Sequence, residues 1–336
     1  MISIRRTALT FFALPGAALL SCAPANEPVS AREPAEEMPG VSLSIDELKK
    51  QFFHVSAGRR LKPSSWPEGA RVAVNLGFDV DNASAALARG NLDYEVLSRG
   101  EYGAVDGLPR VLRMLDRQQI PASFYIPAVS GLLHPAMIDE IQASGRHEIG
   151  VHGWIHELLP AIDDENEERR LLKQSIDYLT ERTGKKPVGY RAPSWKFSKH
   201  TMKLLKEEGF LYDSSLMASD DAYEILLDGE PTGILELPIE RIVDDAPYFG
   251  AASGSMPSPR AVMDVFRSEF DVAHEEGGLL VLTMHPHVIG HRSRIAALEE
   301  LVEYMKSRGG VWFATLEDIA NYVKTNPMNA SEKQTK

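Results

Sequence analysis

Residues 71–81 read RVAVNLGFDVD. The run opens with alternating β-branched and apolar residues, contains no proline, and has the length of one strand, so it reads as a buried β-strand. It ends in two carboxylates, Asp79 and Asp81. Side chains two apart on a strand point to the same face. Two acids on one face repel unless a cation or an arginine lies between them. A polar loop after a strand is common, so the pair alone says little about chemistry.

Working outward, strands and helices alternate. GLPRVLRMLDRQQI (107–120) reads as a helix with Leu108, Val111, Leu112 and Leu115 on one face, and ASFYIPA (122–128) as a strand. HPAMIDEIQASG (134–145) is a helix stopped by Gly145, and HEIGVH (147–152) a short strand. A charged amphipathic helix over 163–182 precedes extended VGYRAPS (188–194), then a helix at 198–209 and a strand, GILELPI, at 233–239. Helix 259–276, the apolar strand GLLVLTMH (278–285), helix 292–306, strand GVWFAT (310–315) and helix 316–324 complete the series. Six or seven such units between 71 and 324 predict an α/β fold, a parallel sheet or a distorted (β/α) barrel, as one catalytic domain over 46–325. In such folds chemistry gathers at the C-terminal ends of the strands. Asp79, Asp81, His152, Arg191 and His285 all end strands in this reading.

EIGVHGWIHE (148–157) places His152 and His156 four apart. On a helical turn that spacing puts both imidazoles on one face, within reach of one ion. Taken alone, such a pair is more often solvated or satisfied in a core. With a carboxylate from another strand end it becomes a two-histidine, one-aspartate set, a catalytic zinc pattern that leaves a position open for water. The second carboxylate of the Asp79 and Asp81 pair is then free to act as base. Arg191, in GYRAPSW (189–195), would hold that base, though a surface ion pair is the plainer alternative. Trp195 lines a pocket or serves the core. His285 ends the most apolar strand and suits a general acid, while His287 and His291 carry less weight. Asp213, in LYDSS, is the candidate partner for an imidazole.

The ordered set FDVD, HGWIH, RAPSW, DSS and LTMH resembles the polysaccharide deacetylase family, the NodB-homology or carbohydrate esterase family 4 group. The resemblance spans about residues 70–320. It implies a distorted (β/α) barrel and a metal-dependent hydrolase of non-peptide carbon–nitrogen bonds. It implies Asp79 as base, Asp81, His152 and His156 as ligands of a divalent metal, and Arg191 as tether of the base. It implies His285 as acid with Asp213 orienting it, and the backbone N–H near Ser194 as oxyanion donor. Trp195 and Tyr248 join Ser194 as candidates for contact with substrate. Zinc suits the ligand set best; cobalt, nickel, manganese and iron are alternatives.

Two departures stand out. The usual motif has adjacent aspartates, whereas Val80 separates them here, and Gly153 replaces the usual Ser or Thr after the first histidine. FDVD, RAPSW, DDAPYF (244–249) and MHPHVIG resemble a branch with peptidoglycan-deacetylase-like proteins, metal-independent allantoinases and cyclic imide hydrolases. The branch implies homo-oligomers with pockets for small substrates. Its allantoinase-like members lack the metal-site carboxylates that this chain keeps. The expected reaction is deacetylation of an acetylated amino sugar. The alternatives are hydrolysis of a cyclic imide or other small amide, and a carbohydrate-binding protein without activity.

The 336 residues are 43% hydrophobic and 25% charged, which suits a sizeable core. A net charge of −12 argues against nonspecific binding to nucleic acid or anionic lipid. The one cysteine, Cys22, follows Leu19-Leu20-Ser21 at the end of a short apolar run behind Arg5 and Arg6. This resembles a bacterial lipobox. It implies a signal peptide over 1–21, a lipid on Cys22, a flexible tether over 22–45 and attachment to the cell envelope. Residues 326–336 read as a disordered tail.

Overall fold

The strand read from residues 71–81 is the second of ten in a computed structural model, which describes residues 38–250 and 256–326. The signal peptide, Cys22, most of the tether and most of the C-terminal tail lie outside the described residues. Met38–Ser44 is a short unit of its own with a 3-10 turn at Pro39–Ser42, and the chain from Ile45 onward forms the other unit. Among the described residues no helix is long and apolar enough to cross a membrane.

In chain order the strands are β1 (Val55–Arg60), β2 (Val72–Asp79), β3 (Ser123–Ile126), β4 (Glu148–Val151) and β5 (Gly189–Tyr190). Then follow β6 (Tyr212–Asp213), β7 (Tyr223–Leu227), β8 (Glu230–Glu236), β9 (Leu279–Met284) and β10 (Val311–Phe313). They form one sheet in the order β1-β7-β8-β6-β5-β4-β3-β2-β10, and β9 also pairs with β2. The pairings from β8 through β2 to β9 and β10 are parallel. The expected distorted (β/α) barrel is therefore present as a curled, mostly parallel sheet in a single domain. A bridge between Asp244 and Thr283 carries the chain after β8 onto β9.

Alternation along β2 sorts the two faces of the sheet. Val72, Val74, Leu76 and Phe78 are fully buried in the larger apolar cluster, which takes in the helices Leu108–Gln118, Glu165–Thr183, Pro259–Glu276 and Arg292–Arg308. Ala73 belongs to a second cluster on the inner face, with Tyr125, Tyr212, Val281 and Leu316, Ile319 and Val323 of the last helix, Leu316–Thr325. Asn75, Gly77 and Asp79 share that inner face by the same alternation. Val80 is buried in the outer cluster, and its N–H still donates to the Tyr125 carbonyl at 2.8 Å. The strand pattern thus runs two residues further, so that Asp79 and Asp81 both face inward. That is what the inserted valine does.

Of the antiparallel edge, β8 is the strand expected at GILELPI, begun three residues earlier, whereas β1 and β7 are not among the strands expected from the sequence. A local signal for β7 exists in LLDGEP. Asp228 and Gly229 turn β7 into β8 with φ of 50° and 84°, a two-residue hairpin turn of the kind that Asp-Gly favours.

Candidate active site

Four strand ends converge on one cluster. Asp79 ends β2, Asp81 lies two residues further, His152 follows β4, Arg191 follows β5 and His285 follows β9. Asp79, His152 and Arg191 are at most 1% exposed, and Asp81 and His156 are buried as well.

Asp81, His152 and His156 each offer a donor atom within 4.8 Å of the others. The Nε2 of His152 lies 3.4 Å from Asp81 Oδ1, and the Nε2 of His156 lies 3.5 Å from Oδ2. Donors about 2.1 Å from a tetrahedral zinc sit at roughly 3.4 Å from each other, so the set fits such an ion. Asp81 Oδ1 is buried without a hydrogen-bond partner, as a ligand atom is expected to be. His152 donates from Nδ1 to the Arg191 carbonyl at 2.7 Å, which turns its Nε2 toward the carboxylates. Burial favours the uncharged Asp81, but the imidazoles around it outweigh this and hold its carboxyl well below the usual range. Burial pushes His156 below its ordinary value, toward the neutral ring a metal requires.

The two histidines do not sit on a helical turn, contrary to the spacing argument. The chain from 152 to 158 is a loop with positive φ at Gly153 (75°) and His156 (61°). The carboxylate of Glu157, which the motif reading missed, builds it. This buried side chain accepts from the backbone N–H of Trp154 at 3.0 Å and of Ile155 at 2.8 Å. A Cβ at Gly153 would lie 3.0 Å from that carboxylate and 2.8 Å from Pro193 Cγ. The glycine in place of the usual Ser or Thr is thus explained by local packing.

Arg191 is fully buried and pairs with Asp79, with Nη1 2.8 Å from Oδ1. Its Nε and Nη2 donate at 2.9 Å to the Ser214 carbonyl and hydroxyl. Asp213 therefore has a different place from the one expected. It accepts from the Ser215 hydroxyl at 2.8 Å, and that hydroxyl accepts from the Ala192 N–H, so the DSS segment builds the cradle of Arg191. Glu236, fully buried beside Asp213, accepts from the N–H of Ser215 and of Leu216. Burial pushes Asp213 up to about 6 and Glu236 well above the usual carboxylate range.

The imidazole of His285 is oriented by Asp245. Nδ1 donates to Asp245 Oδ1 at 2.7 Å, and the His285 N–H donates to Oδ2 at 3.0 Å. Asp213 ends β6 and faces the Arg191 cradle, whereas Asp245 is brought over by the loop that bridges to β9. The signal was DDAPYF, a motif of the branch resemblance. Burial alone lowers a histidine, but Asp245, Asp81 and Asp244 override it and hold His285 well above its ordinary value. Asp244, Asp245 and His285 also cluster, but both oxygens of Asp245 are taken by His285.

The remaining candidates have structural partners. Ser194 and Trp195 make a bend with φ of 55° and 58° right after Arg191. The Trp195 ring packs against the inner cluster, with the Arg241 guanidinium 5.1 Å from its centroid. The Tyr248 hydroxyl donates to the Ile242 carbonyl at 3.1 Å, and its ring meets Phe266. His287 stands edge-on to His285 with ring centres 5.6 Å apart, and burial pushes it down to about 4. His291 stacks on Tyr102.

A three-donor metal set flanked by an arginine-held carboxylate and an aspartate-held imidazole, at the strand ends of a curled parallel sheet, defines a hydrolase class. Comparison with known proteins agrees. The polysaccharide deacetylase family pattern matches residues 100–212. A peptidoglycan deacetylase of Helicobacter pylori is 30% identical over 288 residues, 76% of this chain and 98% of that protein. The structure of a Mycobacterium smegmatis protein assigned to the polysaccharide deacetylases is 36% identical, with a TM-score of 0.74 over 80% of this chain and 96% of that one. A Puue allantoinase structure is 26% identical, with a TM-score of 0.70 over 82% and 96%. The chain belongs to the polysaccharide deacetylase family and is a hydrolase of carbon–nitrogen bonds.

Proposed function

We propose that the protein is a metal-dependent N-deacetylase of an acetylated amino sugar, of peptidoglycan or another polysaccharide. The observation that carries this reading is the convergence of Asp81, His152 and His156 beside the Arg191-held Asp79 and the Asp245-held His285. Asp81, His152 and His156 would hold a divalent cation, zinc by the chemistry of the donors, and when bound it would supply Lewis acidity toward the amide carbonyl and toward water. Asp79 takes the proton of the attacking water, and Arg191 fixes the carboxylate that does so. His285, kept protonated by Asp245, gives its proton to the leaving nitrogen. The backbone N–H near Ser194 is the oxyanion donor in this scheme. The lipobox-like LLSC at 19–22 supports this reading, since a lipid-anchored envelope protein would meet acetylated amino sugars.

The allantoinase likeness supports a second reading, hydrolysis of a cyclic imide or other small amide by the same residues. Assays of the metal-loaded protein on N-acetylglucosamine oligomers and on small imides, with and without chelator, separate the two. Turnover of imides alone overturns the deacetylase reading. No turnover of either substrate class leaves a carbohydrate-binding protein. Turnover unchanged in Asp81→Ala and His152→Ala overturns the metal assignment. Size-exclusion chromatography with light scattering tests the homo-oligomer that the branch resemblance implies.

A further inference from the structure

Beneath the Arg191–Asp79 pair, the inner face of the sheet carries a column of polar side chains that the proposed chemistry does not use. The Tyr125 ring lies under the Arg191 guanidinium, with Cζ 4.2 Å from the ring centre. The Tyr125 hydroxyl is 2.8 Å from that of Tyr212, and Tyr212 donates to Glu148 at 2.6 Å, so Tyr125 is the donor between the two rings. Glu148 also accepts from the Ser123 hydroxyl at 2.7 Å and from the Glu317 N–H at 3.0 Å. The Ser123 hydroxyl accepts in turn from the Leu316 N–H at 2.8 Å. The column thus runs from the catalytic arginine to the first turn of the last helix.

Missing side chains make room for it. A Cβ at Gly150 would lie 2.7 Å from Tyr125 Cε1, and one at Gly189 would collide with the Tyr212 hydroxyl. A Cβ at Gly77 would lie 3.0 Å from Arg191 Nη1. Burial holds the Tyr125 phenol well above its ordinary value, so it stays neutral beside the arginine.

The N–H groups of a guanidinium point outward in its own plane, and here they donate to Asp79 and to the carbonyl and hydroxyl of Ser214. Such bonds resist in-plane motion and leave tilting soft. An aromatic face against a cation supplies the missing restraint. We propose that Tyr125 is a positioning residue for the Arg191–Asp79 pair: its ring sets the plane of the guanidinium, and Tyr212 and Glu148 lock the ring. The proposal rests on the reading of Asp79 as the base.

The test uses Tyr125→Phe, Tyr125→Leu and Tyr212→Phe in the metal-loaded protein, with thermal melts as a check on folding. Tyr125→Leu is expected to lose roughly 10–100-fold in kcat, with KM within about threefold, because misplaced catalytic groups cost rate rather than binding. Tyr125→Phe and Tyr212→Phe both keep the ring and both remove its hydrogen bond to the lock, so the two are expected to match each other and to fall between the parent and Tyr125→Leu in kcat. Metal affinity, measured by competition with a chromophoric chelator, stays unchanged in all three.

A second readout needs no substrate. The Arg191 Nε–H resonance in arginine-labelled protein is expected to keep its ring-current shift in Tyr125→Phe and Tyr212→Phe, with exchange faster than in the parent, and to lose the shift in Tyr125→Leu. If Tyr125→Leu does not fold, the Nε–H exchange of Tyr212→Phe decides in its place. Parental kcat in Tyr125→Leu, or equal damage in Tyr125→Phe, overturns the proposal. An inactive parent with the expected resonances overturns the deacetylase reading and leaves the positioning role standing.

Discussion

Asp245 grips His285 from two sides, through the imidazole Nδ1 at 2.7 Å and the backbone N–H at 3.0 Å. The ring is thereby fixed with Nε2 facing Asp81, 3.8 Å from its Oδ2. Asp245→Asn keeps the shape and removes the charge that stabilises the imidazolium. Its kcat is expected to drop roughly 10²–10⁴-fold. Loss of the carboxylate also lowers the histidine, so the alkaline limb of the pH–rate profile moves to lower pH. Parental rate and an unmoved alkaline limb remove His285 from the role of acid.

The buried Asp213–Glu236 pair makes stability depend on pH. Asp213 is raised to about 6 and Glu236 well above the usual range, so folding favours their protonated forms. That stability is complete below the unfolded carboxylate value and is lost as pH rises through the folded values. Glu236→Gln imitates the protonated acid, and its amide is able to donate to Asp213. Urea unfolding at pH 5 and pH 8 is expected to show the parent losing about 1–3 kcal/mol and the variant much less. A variant less stable than the parent at pH 8 contradicts a Glu236 that folding holds protonated.

Glu157 determines whether His156 reaches Asp81. In Glu157→Ala the N–H groups of Trp154 and Ile155 lose their acceptor and the loop is free to relax. Metal affinity is expected to fall roughly 10–100-fold, as it does when the groups that orient ligands are removed. Competition with a chromophoric chelator measures it. Gly153→Ala introduces a side chain at φ 75° against the same carboxylate and is expected to cost about 1–3 kcal/mol in thermal unfolding. Full metal affinity in Glu157→Ala means that the loop is held by other contacts.

Removal of the metal is expected to abolish turnover and lower the melting temperature. An ion bound at 1,000 times its Kd stabilises by about 4 kcal/mol. Asp81→Asn is expected to show the metal-free melting temperature whether or not zinc is added. A zinc-dependent rise in that variant shows that the ion binds elsewhere.

Much of the site was legible because its residues are tied to strand ends. Asp79, Asp81, His152, Arg191 and His285 each close an apolar run, and a parallel sheet brings such ends to one edge. The loop from 152 to 158 was not legible as spacing. Histidines four apart suit a helix, and the turn actually taken depends on a glutamate one position further along. β1 was missed for a different reason, since VSAGRR is partly exposed and polar and carries no apolar alternation.

By itself the sequence determined the strand–helix alternation, the inward pairing of Asp79 with Asp81, and the order of motifs that marks the family. These follow from local periodicity and from residue types at element ends. Only the tertiary structure decided that Asp245 rather than Asp213 serves His285, and that Asp213 serves the cradle of Arg191. Both are aspartates after apolar runs, alike in sequence. Which imidazole or guanidinium each one meets is set by the curl of the sheet and by the loop that returns to β9, contacts between segments far apart in the chain.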